Sequence, residues 1–301
     1  MMLLLLVLLD LVVCGGQSFT YQVLIEPAVD PSSVLATVST LSGPTSTLHP
    51  HGFLDGPPSS ARFHHPAGIA ARPNGGAYVA DASNHAIRRV DGGGVVATIA
   101  GGDGPGFADG AGRAARFYNP HGVAVGPDGE IYVADTSNHA VRLVAANGVV
   151  TTLFRRKGYA IAEPRQVLAE ATAAATSPPP ASYTYEESNG KEDGPPQGGG
   201  AIAATGDASG LWNPQGIAAW PNPDGSGVRG VLVADTDNHR VLLLSPPATG
   251  MGAWSLSLFA GSGSAGFSDG AASFASFSYP RGIALCPVCG PSDRTHQSRA
   301  H

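Results

Sequence analysis

Five residues, Asp-x-x-Asn-His, recur three times, at positions 81–85, 135–139 and 235–239. Their surroundings recur too: "AYVADASNHAIRRV" from Ala77, "IYVADTSNHAVRLV" from Ile131 and "VLVADTDNHRVLLL" from Val231. Upstream of each lies a Pro-x-Gly followed by aliphatics, at Pro66, Pro120 and Pro214, with a fourth copy at Pro280. Pro66 precedes Asp81 by 15 positions, and Pro120 precedes Asp135 by the same 15. Pro214 to Asp235 is 21 positions, and the excess falls in the polar "PNPDGSGVRG", an enlarged turn. Tandem copies of this length restrict the fold strongly. Each unit is one supersecondary element that buries its apolar face against the next copy.

A second signature precedes the prolines. "FLDG" at Phe53, "FADG" at Phe107 and "FSDG" at Phe267 each place an Asp 11 residues before a proline, and each is followed by Phe63, Phe117 or Phe277. The third unit keeps Trp212 and Pro214 in "GDASGLWNP" but lacks the Phe-x-Asp-Gly element.

Asp135 and His139 stand four apart. On a helix that spacing puts both side chains on one face, as paired zinc ligands sit. The residues around them alternate apolar with polar or small by twos, in Ile131–Asp135 and again in Ala140–Val144. That is a strand period, which puts the motif in the turn of a hairpin. Asp81/His85, Asp135/His139 and Asp235/His239 are therefore read as a structural seam. The Asp accepts turn N–H groups, the Asn tolerates left-handed backbone, and the His bonds across its own hairpin. Arg88, Arg142 and the shifted Arg240 are expected to pair with carboxylates or carbonyls of neighbouring blades. Each unit reads as four strands, and four-stranded units in tandem give an all-β fold of radial blades, a β-propeller. The 41 glycines, 25 prolines and 13% charged residues suit short strands and tight turns.

These motifs resemble the NHL-repeat family, named for an Asn-His-Leu triplet that here reads Asn84-His85-Ala86, Asn138-His139-Ala140 and Asn238-His239-Arg240. The wording is similar to secreted bacterial, plant and algal NHL repeats and to the teneurin type, over residues 34–155 and 205–285. The resemblance implies a propeller of about six blades. Three complete units can be counted, with an outer-type strand before them (34–43) and an inner strand after them (Gly282–Leu285). The expectation is an NHL-type propeller that is incomplete in this chain: a fragment, a mis-spliced product, or a half ring completed by another chain.

Function in a repeat fold is sought where the copies differ. The residue inside Pro-x-Gly changes from Ala67 to His121, Gln215 and Arg281, and the pre-proline pairs are His64-His65, Tyr118-Asn119, Trp212-Asn213 and Ser278-Tyr279. His65, Tyr118, His121, Trp212, Gln215, Tyr279 and Arg281 are the candidate ligand-binding residues, on one face near the channel mouth. The alternative is that these are ordinary solvated loop tips. The expected role is a binding or scaffold module for a protein or small molecule. The resemblance also admits a metal-dependent lyase or lactonase. That would need His or carboxylate ligands from inner strands, and "GIAA", "GVAV", "GIAA" and "GIAL" carry no acid. No catalytic residue, metal or cofactor is assigned. The net charge of −6 opposes a nucleic-acid partner.

Three segments fall outside the blades at 34–158 and 210–285. Residues 1–16, an apolar run ending in Cys14-Gly15-Gly16, read as a signal peptide, with an uncleaved anchor or a mis-set start as alternatives. The destination is then outside the cytosol, with no stable membrane span after cleavage. Residues 159–209 are rich in Ala, Pro, Gly and Ser and are expected to be a largely disordered insert. Residues 286–301 leave the pattern, and Cys286, Cys289, His296 and His301 form an alternative zinc set beside a short-range disulfide or an unstructured end.

Overall fold

The alternation around each Asp-x-x-Asn-His does form strands. The computed structural model describes residues 21–22, 39–43, 51–156, 210–248 and 252–285. The segments 1–16, 159–209 and 286–301, with Cys286, Cys289, His296 and His301, lie outside the described residues. Blade I comprises Pro66–Ala71, Ala77–Asp81, Ala86–Val90 and Val96–Gly101. Blade II comprises Pro120–Val125, Ile131–Asp135, Ala140–Val144 and Val149–Arg155. Blade III comprises Pro214–Pro221, Val228–Asp235, Arg240–Ser245 and Ser255–Ala260. Every sheet is antiparallel with its strands in chain order, and Gly110–Ala111 adds a fifth strand to blade II at Val149–Val150. The extra six residues of blade III lengthen its first two strands and close a turn through Asn222 N–H to Gly227 O (3.1 Å). In the segment expected to give an outer strand at 34–43, Ser39–Thr40 pairs instead with Tyr21–Gln22.

The core lies between blades rather than within them. The recurring Val-Ala-Asp explains how. Val133 packs back onto blade I, in a buried cluster with Ala80, Ile87 and Ala100. The adjacent Ala134 packs forward, with Ile217, Val233 and Leu242 of blade III. Neighbouring residues of a strand face opposite ways, so blade II gives Val133 to its seam with blade I, and Ala134, with Tyr132 and Val141, to its seam with blade III. Each seam is closed by buried side chains from both blades. Full burial of each such Val is worth about 1.5–3 kcal/mol.

The Pro-x-Gly corners bring the first strands together. A Cβ on Gly68 would run into the carbonyl oxygen of His121, one on Gly122 into that of Gln215, and one on Gly216 into that of Arg281. Each glycine is thus the place where one blade's backbone touches the next, and the four corners follow one another in chain order. Threonine adds a polar tie. Thr136 Oγ1 donates to Pro214 O (2.7 Å) and Thr236 Oγ1 to Pro280 O (2.8 Å). Blade I has buried Ala82 at this position and lacks the tie to blade II.

Two outcomes are expected. Ala82→Thr supplies the missing bond and stabilises by about 1 kcal/mol, a rise of a few degrees in melting temperature by calorimetry. Gly122→Ala forces blades II and III apart and costs about 1–3 kcal/mol or more, seen as a lower denaturation midpoint.

Candidate functional site

Pro66 pairs with Asp81, Pro120 with Asp135 and Pro214 with Asp235, so each corner sits beside its own hairpin turn at one end of the blade. Each Asp ends its strand and a single 3-10 turn follows: Ala82–Asn84, Thr136–Asn138 and Thr236–Asn238. The Asn lies in that turn. The left-handed residue is the His, with φ of 52° at His85, 50° at His139 and 53° at His239. The seven non-glycine residues with positive φ among those described fall at two repeat positions: these three histidines, and His65, Asn119, Asn213 and Tyr279 just before the prolines. Left-handed backbone is costly for such residues, and its recurrence means that the surroundings enforce it.

What enforces it is a buried carboxylate. Asp135 Oδ1 accepts the Tyr118 N–H (2.8 Å), while Oδ2 accepts Asn138 Nδ2 (2.7 Å) and Arg142 Nη1 (2.8 Å). Asp81 holds His64 N–H, Asn84 and Arg88 in the same way, at 2.7, 2.8 and 2.5 Å. Asp235 takes Trp212 N–H (2.7 Å) and Asn238 (2.9 Å). All three carboxylates are inaccessible to solvent. Burial pushes Asp135 up to about 6, against the pull of Arg142, the Tyr118 N–H and Asn138. Every partner is a donor, so the group serves as a carboxylate at neutral pH.

The histidines act between blades. His85 Nδ1 accepts the Asn119 N–H (3.1 Å), His139 Nδ1 the Asn213 N–H (2.9 Å), and His239 Nδ1 the Tyr279 N–H (3.1 Å). This corrects the expected bond across their own hairpins. The left-handed pre-proline residue aims its N–H backwards, and the imidazole of the preceding blade receives it. Nδ1 is an acceptor, so the neutral ring carries its proton on Nε2. Burial, with Arg156 and Arg155, lowers His139 to about 4; burial, with His64, lowers His85 to about 4.

The arginines tie each blade to the segment that precedes it in the chain. Arg142 Nη2 reaches Ala108 O (2.7 Å) and Asp109 Oδ1 (2.7 Å), and Nη1 reaches Arg116 O (3.0 Å). Phe107 and Phe117 lie 4.5 and 5.2 Å from its guanidinium carbon. Arg88 repeats this with Leu54 O, Asp55, Arg62 O, Phe53 and Phe63. Asp55 and Asp109 also take Thr98 Oγ1 and Thr152 Oγ1, both at 2.9 Å. Blade III lacks Phe-x-Asp-Gly, and the Arg and Thr that serve its Asp are replaced with it: Leu242 and Leu258 pair where Arg142 pairs with Thr152. Arg240, two residues earlier, approaches Asp235 through Nε (2.7 Å) instead, and its Nη2 keeps one tie to the preceding segment, at Gly210 O (3.3 Å).

The candidate ligand residues divide into two groups. Tyr118 meets His85 edge-on, Trp212 stacks on His139 with Arg156 over its ring at 4.0 Å, and Tyr279 meets His239 edge-on. These aromatics cover the blade-to-blade clasps. His65 and Arg281 are exposed, and His121 and Gln215 half-buried, on four corners that touch in order. His121 Nδ1 lies 2.9 Å from Asn119 O, and His65 Nδ1 3.0 Å from Ser83 Oγ. His51 and His64, at the blade I corner, stack at 4.9 Å, with His65 4.7 Å from His64. His51 carried no repeat signal. Among the described residues no three His, Cys, Asp or Glu side chains converge as metal ligands, and no helix is long and apolar enough to cross a membrane.

A family model described as NHL repeat matches residues 117–142, from Phe117 through the corner, Asp135, Asn138 and His139 to Arg142. The likeness to the NHL repeat is carried by these residues. The chain is 33% identical over 104 residues to Protein SUPPRESSOR OF QUENCHING 1, chloroplastic, of Arabidopsis thaliana, covering 34% of this chain and 10% of that protein. It is 35% identical over 101 residues to NHL repeat-containing protein 2 of Homo sapiens, covering 32% and 14%. The chain thus spans a small part of either relative. Among solved structures it is similar to an auxiliary nutrient binding protein from Bacteroides thetaiotaomicron (TM-score 0.35, 19% identity, 57% of this chain and 35% of that one). A protein described as a gluconolactonase candidate gives a TM-score of 0.37 at 14% identity, over 65% and 49%. At those scores the propeller architecture of the blades rests on the strand registers above.

Two further outcomes follow from this network. Arg142→Leu leaves the buried Asp135 carboxylate without its counter-charge and removes one partner of the half-exposed Asp109, at a cost of about 3–5 kcal/mol. The double variant with Asp109→Ala loses less than the sum of the singles, because Asp109 no longer needs its partner; a double-mutant cycle in urea measures this. His85 and His139 favour the folded state when neutral. The unfolded chain takes up protons near pH 6.5 and the folded one only near 4, so their contribution is complete above pH 6.5 and is lost as pH falls towards 4. Asp135 titrates in the opposite sense within that window. The imidazole resonances therefore isolate the effect: both rings are expected to stay neutral by NMR at pH 5.5.

Proposed function

We propose that this NHL propeller is a binding or scaffold module acting outside the cytosol. Its ligand surface is the rim built by the Pro-x-Gly corners, and its ligand is a protein or a small molecule. One observation carries this reading: four corners share one backbone geometry but present unlike side chains, Ala67, His121, Gln215 and Arg281. The repeat network explains every shared residue there and none of these. Tyr118, Trp212 and Tyr279 contribute as flanking aromatic surface on the clasps they cover. The extracellular setting is supported by the apolar run at 1–16.

The test compares wild type with His121→Ala/Gln215→Ala/Arg281→Ala on arrays of acidic peptides and of neutral and acidic oligosaccharides. The expected result is a probe retained by wild type and bound at least tenfold more weakly by the variant, with an unchanged melting temperature. Identical binding profiles would sink the proposed surface. Hydrolysis of a sugar lactone by protein carrying stoichiometric metal would replace the binding role with an enzymatic one.

A further inference from the structure

The fourth Phe-x-Asp-Gly segment folds as its two earlier copies do. Ser268 and Ser276 form the same bridge as Leu54 with Arg62 and Ala108 with Arg116. Gly266 N–H donates to Phe277 O at 3.0 Å, as Gly52 does to Phe63 (2.9 Å) and Gly106 to Phe117 (3.0 Å). In blades I and II this hairpin holds a guanidinium between two Phe rings, on two carbonyls and one carboxylate. In the fourth copy the corresponding groups are the rings of Phe267 and Phe277, the carbonyls of Ser268 and Ser276, and Asp269. They line a cavity of about 580 Å³. Phe267 is 99% exposed, whereas its counterparts Phe53 and Phe107 are half-buried beneath Arg88 and Arg142.

We propose that this hairpin is an arginine-receiving cradle that docks a partner β-hairpin of NHL type, with an Arg three residues after the His of its turn. Blade III is the internal control. There the Phe-x-Asp-Gly element is missing, and the arginine is missing with it, replaced by Leu242 in the same register. The cradle and its arginine are retained or lost together, and the fourth unit has kept the cradle. A planar fork satisfies two carbonyls and a carboxylate while its faces lie against the rings, a combination that lysine cannot match. The proposal is independent of the corner-rim surface.

The test uses the full chain and a fluorescent, backbone-cyclised peptide of residues 131–144, IYVADTSNHAVRLV, cyclised because a lone hairpin is marginal in water. A second peptide carries R142L, the residue blade III uses at this place. Anisotropy is expected to show saturable binding of the arginine hairpin, at least tenfold weaker for the R142L peptide and for Asp269→Asn protein. Asp269 is exposed, so circular dichroism of that variant should be unchanged. Equal affinity for the two peptides would mean that the exposed phenylalanines are merely adhesive, and would overturn the proposal. So would unaltered binding to Asp269→Asn, or no saturable binding of the arginine hairpin at millimolar concentration.

Discussion

A carboxylate removed from water at the end of each second strand organises everything around it. Asp81, Asp135 and Asp235 each gather a corner N–H, a turn amide and an arginine. Leaving such a group short of donors is expensive, so the corner, the turn and the third strand are fixed relative to one another. The corner's geometry then points its N–H at the previous blade. The seam between blades thus depends on a charge that does not itself touch the seam.

The strands, the hairpin position of the motif and the blade count were legible because apolar alternation and repeated spacing are local signals. The direction of the histidine bond was not. His85 and Asn119 are 34 residues apart, whereas His139 and Asn213 are 74 apart with the insert between them, so no fixed spacing announces the pair. The left-handed histidine was also hidden, since Asn is the residue whose type suggests that conformation and it sits one place earlier in the turn. The corner residues could be selected as candidates by their variety. Which aromatics are occupied in covering clasps became clear only from Tyr118 against His85 and Trp212 against His139.

Blade III shows how far the network can be rewired. Its carboxylate is kept and its strand pairing is kept, but the guanidinium approaches from the residue after the His, and two leucines close the gap left by the ion pair. A buried ion pair and an apolar pair of similar volume can be exchanged at modest cost if no partner is stranded. The loss of Asp, Arg and Thr as a group follows that rule.

The clasps have a sense. His85 grips blade II, His139 grips blade III and His239 grips the fourth corner; Thr136 and Thr236 reach the same way, and Gly68, Gly122 and Gly216 each receive the backbone of the following unit. Nothing in this set requires a later unit to be in place before an earlier one can form its own carboxylate network. During synthesis, a corner leaving the ribosome therefore meets a latch already built behind it. The chain can assemble vectorially, blade by blade, in the order in which it is made, and it should fray from the opposite end.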